Sequence, residues 1–129
     1  MLDLPPHLVL LVEDDALVRT VLEEMLEQAG FGALAVANGH QALVELEEDA
    51  ARFRAVLTDI RLGRSPDGWE VARRARELVP DMPVLYLSGN SAQKWTARGV
   101  PNSLMLGKPY GAAQIVSALT TLLGQADSH

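Results

Sequence analysis

The sequence lacks cysteine, has an excess of acidic over basic residues, and contains no long apolar segment. Without cysteine, disulfides, thiolate metal sites and thiol catalysis are excluded. The 11 lysine and arginine residues stand against 17 acidic ones, giving a formal net charge of −6. We therefore expect no binding to nucleic acid or to anionic lipid. The longest near-continuous apolar run, Leu8–Val12, is far shorter than the ~20 residues of a membrane-spanning helix. Met1–His7 also lacks the basic and apolar regions of a secretion signal. These absences predict a soluble, cytoplasmic protein.

The chain length predicts one domain. A length of 129 residues, 48% of them apolar, suffices for a single domain with an ordinary core. We expect that domain over residues 7–123, with frayed ends at 1–6 and 124–129.

Short apolar runs alternate with amphipathic segments along the chain. The first strand is predicted at Leu8–Val12, and apolar residues at helical spacing over 17–29 predict a helix that Gly30 ends. Four more strands are predicted at Gly32–Val36, at Ala55–Thr58 with Asp59 at its end, at Pro83–Leu87, and at Leu104–Leu106. The helices that follow are predicted around Ala42–Leu46, at Trp69–Val79 before Pro80, within Ser91–Gly99 as a short and loosely held element, and over Ile115–Leu123.

Five strand–helix pairs in this order predict an α/β fold. The parallel sheet is covered by helices on both faces. Right-handed crossovers make the doubly wound strand order 2-1-3-4-5 the natural arrangement. Ligands of such sheets bind beyond the carboxyl ends of the strands, at the switch point between strands one and three.

Charged and polar residues are concentrated at these strand ends. Glu13 and Asp14 follow the first strand, Asp59 the third, Ser88 the fourth and Lys108 the fifth. Two carboxylates ~4 Å apart repel by roughly 4 kcal/mol at an effective dielectric constant of 20. One lysine offsets only one of the three negative charges, so the rest need a proton, a cation or open water. An all-oxygen, partly hydrated site suits Mg²⁺, or Mn²⁺ in its place.

The motifs at the strand ends resemble those of the receiver domain of two-component response regulators. The matching segments are Leu11–Asp15, Leu57–Arg61, Asp67–Gly68, Leu87–Gly89 and Gly107–Tyr110. Their order and spacing extend the resemblance from Leu8 to Leu123. The resemblance implies a flavodoxin-like (βα)5 fold and a phosphorylation switch rather than an enzyme acting on free metabolites.

The resemblance also implies a role for each carboxylate. Asp59 would accept a phosphoryl group from the phosphohistidine of a sensor kinase. Asp14 would ligate Mg²⁺ directly, Glu13 mainly through water, and Asp59 with the backbone carbonyl of Arg61 would complete the protein ligands.

The remaining implied roles belong to residues at the ends of strands four and five. Ser88 would donate a hydrogen bond to a phosphoryl oxygen, and Lys108 would pair with another. The family's bond between this lysine and Pro109 is typically cis. The switch position three residues before Lys108 often holds an aromatic residue, but here it is Met105. A methionine can repack but has no ring to reorient, so aromatic switching through Ser88 and this position is in doubt.

Two other segments depart from the family pattern. The loop after Asp59 has Gly63 where a proline is common, and it is about one residue longer than usual; Arg61 or Arg64 could approach the acidic site from it. The fourth helix is expected to be short, and we expect the Ser91–Gly99 segment to carry the signal by becoming ordered around Ser88 and Trp95.

Several of these residues also have structural interpretations. Asp15 is predicted to cap the first helix rather than to ligate a metal. Trp95 is expected to cover an apolar edge, and Trp69 to pack near the loop after Asp59. The three histidines show no metal-ligand spacing.

The main prediction is a stand-alone response regulator. Its partners are a sensor histidine kinase or a histidine phosphotransfer protein, and a downstream protein target, with the chain a monomer or weak homodimer. It signals by protein contact, or serves as a phosphate shuttle or sink. The alternatives are a receiver-like scaffold that works without phosphorylation, a receiver from a hybrid kinase, and an Mg²⁺-dependent phosphohydrolase. A phosphohydrolase of this kind needs an Asp-x-Asp motif, and this chain lacks the second carboxylate at Asp59–Arg61. A flavin carrier is a further alternative, which is disfavoured because the acidic run at Glu13–Asp15 would repel the cofactor phosphate.

Overall fold

In the computed structural model of the chain, five parallel strands form one sheet, in which the second strand of the chain is at one edge, followed by the first, third, fourth and fifth. The structure describes residues 7–63, 66–89 and 95–127. The strands are β1 (Leu8–Val12), β2 (Gly32–Val36), β3 (Ala55–Asp59), β4 (Val84–Ser88) and β5 (Leu104–Gly107). The predicted α/β class and strand order are confirmed, and the strand boundaries agree with the prediction to within one residue.

Five α-helices connect and follow the strands. They are α1 (Ala16–Gln28), α2 (Gly39–Asp49), α3 (Gly68–Leu78), α4 (Trp95–Arg98) and α5 (Ala112–Asp127), with a short 3-10 turn at Ala50–Arg52. A helix lies within the predicted Ser91–Gly99 segment, and its described residues are Trp95–Arg98. The last helix continues to Asp127, beyond Leu123, where its apolar face was predicted to end. Frayed ends were predicted at 1–6 and 124–129; residues 124–127 are helical, and 1–6 and 128–129 lie outside the described residues. Among the residues described, no helix has the length and apolar character needed to cross a bilayer.

The two faces of the sheet pack against different helices. On β1, Val9 and Leu11 are buried in one cluster with α1 and α5, whereas Leu10 and Val12 are buried in another with α2 and α3. A strand that is covered on both faces needs apolar side chains at every position. This explains why Leu8–Val12 is a continuous apolar run rather than an alternating one.

Side-chain caps begin the first three helices next to the carboxyl edge of the sheet. Asp15 accepts hydrogen bonds from the backbone amides of Leu17 and Val18, which confirms its predicted capping role. Asn38 caps α2 through the amide of Gln41. Asp67 forms a reciprocal capping box with Glu70 at the start of α3. Because each cap satisfies amides that have no partner within the helix, the residues after β1, β2 and β3 have defined positions.

Aromatic side chains hold the segment between β4 and β5 against the core. Trp95 is half-buried against the cluster under α2 and α3, as predicted, and its indole NH donates to Ser103 Oγ at 2.9 Å. The buried Tyr86 hydroxyl accepts from the amide of Val100 at 3.1 Å. The rings of Tyr86 and Trp69 lie 4.8 Å apart, so these contacts connect β4 to the start of α3.

Candidate functional site

Three carboxylates meet at the carboxyl ends of the neighbouring strands β1 and β3. Glu13, Asp14 and Asp59 each contribute an oxygen, and these oxygens all lie within 4.8 Å of one another. Glu13 is 2% exposed and Asp59 is 8% exposed, whereas Asp14 is exposed to solvent. β1 pairs directly with β3, which brings together residues that are far apart in sequence. The clustering predicted for these three residues is therefore present.

The side chain of Glu13 is held from one side only. Its Oε2 atom accepts a hydrogen bond from the amide of Asp15 at 3.0 Å. Its backbone carbonyl accepts from Arg19 Nη1 at 2.9 Å, and its amide donates to the carbonyl of Val36 at 3.1 Å. The other carboxyl oxygen, Oε1, is buried and has no hydrogen-bond partner among residues 7–63, 66–89 and 95–127. A buried oxygen without a partner is costly unless a cation or a proton satisfies it.

The backbone around Asp59 is firmly fixed. Its carboxyl Oδ1 accepts from the amide of Arg61 at 3.3 Å, and its backbone carbonyl accepts from Thr58 Oγ1 at 2.8 Å. The carbonyl also lies over Gly68, where a β-carbon would come within 2.3 Å of it. Only glycine allows α3 to begin this close to the end of β3.

Burial makes the charged forms of the two inner carboxyl groups unfavourable. It raises the pKa of Glu13 to about 7, an effect that the hydrogen bond from Asp15 opposes and the nearby Asp14 and Asp59 reinforce. Burial likewise raises the pKa of Asp59, while the positive charge of Lys108 and the amides of Arg61 and Ile60 lower it. Without a cation, the site therefore resists carrying its full negative charge at neutral pH.

The donor set fits a hard divalent cation. Three carboxylate oxygens lie within reach of one ion, one buried oxygen has no partner among the described residues, and the outer face is open to water at Asp14. Mg²⁺ favours one or two carboxylates together with retained water molecules, and Mn²⁺ accepts similar oxygen ligands. The Arg61 amide lies beside the Asp59 carboxylate, and the ligand role of the Arg61 carbonyl remains a prediction.

Ser88 and Lys108 lie at the neighbouring edge of this site. Ser88 is buried at the end of β4, and its backbone carbonyl accepts from the amide of Lys108 at 2.9 Å. The Lys108 side chain runs past Gly89, where an added β-carbon would lie 3.8 Å from Lys108 Cδ. The bond between Lys108 and Pro109 is cis, as predicted. The strand order thus carries the hydroxyl and the lysine to the same edge as the carboxylates, with Lys108 near enough to Asp59 to lower its pKa.

The residue at the predicted switch position is part of the core. Met105 pairs with Tyr86 across β4 and β5, and it is half-buried against the cluster that contains Tyr86 and Trp95. It therefore lies two residues along β5 from Gly107, the partner of Ser88. Its role as a switch remains a prediction, and residues 91–94 of the expected signalling segment lie outside the described residues.

Tyr110 lies near enough to the carboxylates for their charge to act on it, although no role was predicted for it from the sequence. It is half-buried against the cluster under α1 and α5. Burial, together with the negative charges of Glu13 and Asp59, raises its pKa to about 12, so the phenol stays protonated at neutral pH. The sequence feature that could have identified Tyr110 is its position two residues after Lys108, shortly after β5 ends. Arg61 is exposed, and Arg64, the other arginine predicted to approach the site, lies outside the described residues.

Comparisons with known proteins point to one family. The family model for the response regulator receiver domain matches residues 9–120. The chain is 32% identical over 117 residues to the response regulator receiver protein CpdR of Brucella abortus, covering 89% of this chain and 95% of that protein. Several longer curated relatives match along about half of their length or less.

Solved structures give the same result. A response regulator receiver protein from Sinorhizobium medicae superposes with a TM-score of 0.89 at 43% identity, covering 92% of this chain and 95% of that one. The receiver domain of a sensor histidine kinase from Pseudomonas aeruginosa superposes with a TM-score of 0.79 at 30% identity, covering 92% and 98%. That structure has a magnesium ion coordinated in its active site cleft.

Proposed function

Because this chain belongs to the response regulator receiver domain family, we propose that it accepts a phosphoryl group on Asp59. The donor is a phosphohistidine on a sensor histidine kinase or a histidine phosphotransfer protein, and the reaction depends on Mg²⁺. The observation that carries the proposal is the juxtaposition of Asp59 with Glu13 and Asp14, whose oxygens lie within 4.8 Å of one another.

The chemistry requires a nucleophile and compensation of charge. A carboxylate oxygen of Asp59 attacks the phosphorus, a P–O bond forms, the P–N bond to the donor histidine breaks, and the imidazole leaves with a proton taken from solvent. In such transfers the protein acts mainly by positioning and by electrostatic stabilisation. Mg²⁺, held by Glu13, Asp14, Asp59 and the Arg61 carbonyl, would supply the positive charge that stabilises the phosphoryl oxygens.

The residues at the ends of β4 and β5 complete the proposed site. Lys108 contributes the second positive charge and pairs with a phosphoryl oxygen, in keeping with its effect on the Asp59 pKa. Ser88 donates a hydrogen bond to another phosphoryl oxygen from its position beside Gly107. Hydrolysis of the acyl phosphate then returns the switch to its ground state, and no free metabolite is consumed.

The output of the phosphorylated form is proposed to be protein contact, or phosphate shuttling between proteins. Phosphorylation draws Ser88 towards the phosphoryl group, and Met105 repacks against Tyr86 in response. The competing proposal is a scaffold that acts without phosphorylation. A scaffold has no use for buried carboxyl groups whose charged forms are unfavourable, so the buried Glu13 and Asp59 favour the phosphoacceptor.

Phosphorylation is tested by intact mass after incubation with acetyl phosphate, with and without Mg²⁺. The wild-type chain gains one phosphoryl group only when Mg²⁺ is present, and Asp59→Asn gains none. Asp49→Asn, which removes an exposed carboxylate at the end of α2, is the matched control and behaves as wild type. A folded wild-type protein that forms no adduct under any condition favours the scaffold instead.

The first two turns of α1 are the proposed docking surface for the phosphohistidine protein. Leu17 and Val21 are one turn apart and are 75% and 55% exposed. α1 begins at Ala16, directly after the Glu13–Asp15 acidic run, so this apolar surface adjoins the phosphoacceptor site. A donor protein must cover the site closely for an in-line transfer, and exposed apolar side chains beside it provide contact area for that purpose.

The docking surface is tested by comparing two phosphodonors. Leu17→Asp is expected to slow phosphorylation by a phosphohistidine protein at least tenfold while leaving phosphorylation by acetyl phosphate unchanged. Val44→Asp is the control because Val44 is 50% exposed but lies on α2. Equal loss with both donors would mean that Leu17 supports the site itself, and no loss with either would exclude the surface.

A further inference from the structure

The start of α2 lies close to the loop between β3 and α3 at Gly39 and Pro66. A β-carbon on Gly39 would lie 2.1 Å from the carbonyl oxygen of Pro66, 2.9 Å from its carbonyl carbon and 3.0 Å from its Cγ. Non-bonded carbon and oxygen atoms do not approach to 2.1 Å, so any side chain at position 39 displaces the backbone of Pro66 by about 1 Å or more.

The backbone of Gly39 does not itself require glycine. Gly39 is the first residue of α2, follows the N-cap Asn38, and does not have a positive φ angle. In a helix, alanine is more favourable than glycine by roughly 1 kcal/mol. The contact with Pro66 is therefore the reason that this position excludes a side chain.

The loop that contacts Gly39 also borders the acidic site. The amide of Gly68 donates to the carbonyl of Ile60 at 2.9 Å, which joins the two ends of the loop. Within the loop, the Arg61 amide donates to Asp59 Oδ1. Gly63 lies beside Asp14, since a β-carbon added to this glycine would be 4.0 Å from Asp14 Oδ2. Gly68 cannot absorb a shift, because it is already packed against the Asp59 carbonyl. A displacement of Pro66, two residues before Gly68, therefore bears on the contact of Gly68 with the backbone of Asp59 and Ile60.

We infer that Gly39 is a positioning residue: by admitting the Pro66 carbonyl, it braces the β3–α3 loop on α2 and sets how that loop meets the Mg²⁺ site. The inference rests on the proposed Mg²⁺ binding by Glu13, Asp14 and Asp59. Its physical basis is that groups bonded to the ligands fix their positions, here the Arg61 amide on Asp59 Oδ1; losing such a group typically costs about 10-fold to 100-fold in metal affinity. Sub-ångström errors in ligand placement matter because Mg²⁺ demands near-ideal geometry.

The test is calorimetric titration of the full chain with MgCl₂, at a temperature well below the unfolding midpoint. Gly39→Ala is expected to raise the Mg²⁺ dissociation constant by about tenfold or more. Gly124→Ala is the matched control, because a β-carbon on that glycine of α5 meets nothing within 4 Å. The Mg²⁺ dissociation constant of this variant should equal that of wild type. Amide exchange of metal-free Gly39→Ala should also be faster at Arg61 and Gly63.

The outcomes separate this inference from the proposed function. If wild type binds Mg²⁺ and folded Gly39→Ala binds it equally well, the bracing role is refuted, even if the variant melts at a lower temperature. If wild type binds no Mg²⁺, the proposed function fails first. Should Gly39→Ala fail to fold, Pro66→Gly keeps the carbonyl but removes the ring that restricts the backbone at this point, so the loop is held less firmly while α2 stays intact. Unchanged Mg²⁺ affinity in that variant also overturns the inference.

Discussion

Replacing Glu13 with glutamine tests the electrostatics of the site most directly. The side chain is 2% exposed, and one of its oxygens, Oε1, has no hydrogen-bond partner in the described part of the chain. Glutamine has the same shape but no charge. In the metal-free protein at pH 8, Glu13→Gln therefore removes a buried negative charge that lies beside Asp14 and Asp59.

The magnitude follows from proton linkage. Burial raises the pKa of Glu13 from 4.5 in the unfolded chain to about 7 in the folded one. At roughly 1.4 kcal/mol per pKa unit, this difference corresponds to about 3 kcal/mol. Because the folded state holds the proton more tightly, the contribution is fully present below pH 4.5 and is lost as the pH rises through 7. The glutamine of Glu13→Gln has no carboxyl proton to lose. The free energy of unfolding of the variant, relative to that of wild type, therefore increases by about 3 kcal/mol across that pH range.

The assay is urea unfolding at pH 5 and pH 8, each with EDTA and with Mg²⁺. In EDTA, wild type should lose stability between the two pH values, and Glu13→Gln should lose less. With Mg²⁺ at pH 8, the difference in free energy of unfolding between Glu13→Gln and wild type should become smaller or change sign, because the ion binds the folded wild type and stabilises it by mass action. Glu24→Gln removes an exposed carboxylate on α1 and serves as the control.

Two results would each refute a part of the reasoning. If Glu13→Gln and wild type show the same pH dependence in EDTA while Glu24→Gln behaves as wild type, Glu13 does not carry an unfavourable buried charge. If the variant gains as much stability from Mg²⁺ as wild type does, Glu13 is not part of the cation site.

Three further substitutions test the framework around the site by urea unfolding in EDTA. Gly68→Ala places a β-carbon 2.3 Å from the Asp59 carbonyl oxygen and should cost about 2 kcal/mol or more; a neutral result would mean that α3 can move away from β3. Tyr86→Phe removes the hydroxyl that accepts from the buried Val100 amide and should cost about 1–2 kcal/mol, with no change expected if water replaces the hydroxyl. Asp15→Ala removes the cap of α1 and should cost about 1 kcal/mol; no loss would mean that water satisfies the amides of Leu17 and Val18 as well as the carboxylate does.

Local sequence patterns were enough to locate the strands and the principal site residues. Leu8–Val12 is a continuous apolar run, and the acidic residues after it end the strand; the same holds for Ala55–Asp59. Once the order of strands and crossovers is known, the carboxyl ends of β1 and β3 must be neighbours. The meeting of Glu13, Asp14 and Asp59 could therefore be predicted without coordinates. The end of the last helix was harder to predict from the sequence, because the apolar spacing weakens after Leu123 although α5 continues to Asp127.

What the sequence by itself determined is the order of elements and the chemical groups at their ends, since periodicity and strand termination are local properties of the chain. Only the tertiary structure decided how deeply each group is buried and what it touches. Glu13 and Asp14 are adjacent in sequence, yet one is buried with a raised pKa and the other faces water. The approach of Tyr110 to the carboxylates, and the contact of Gly39 with Pro66, likewise join separate segments. Desolvation and close packing depend on atoms from all the surrounding elements, and no single stretch of sequence contains that information.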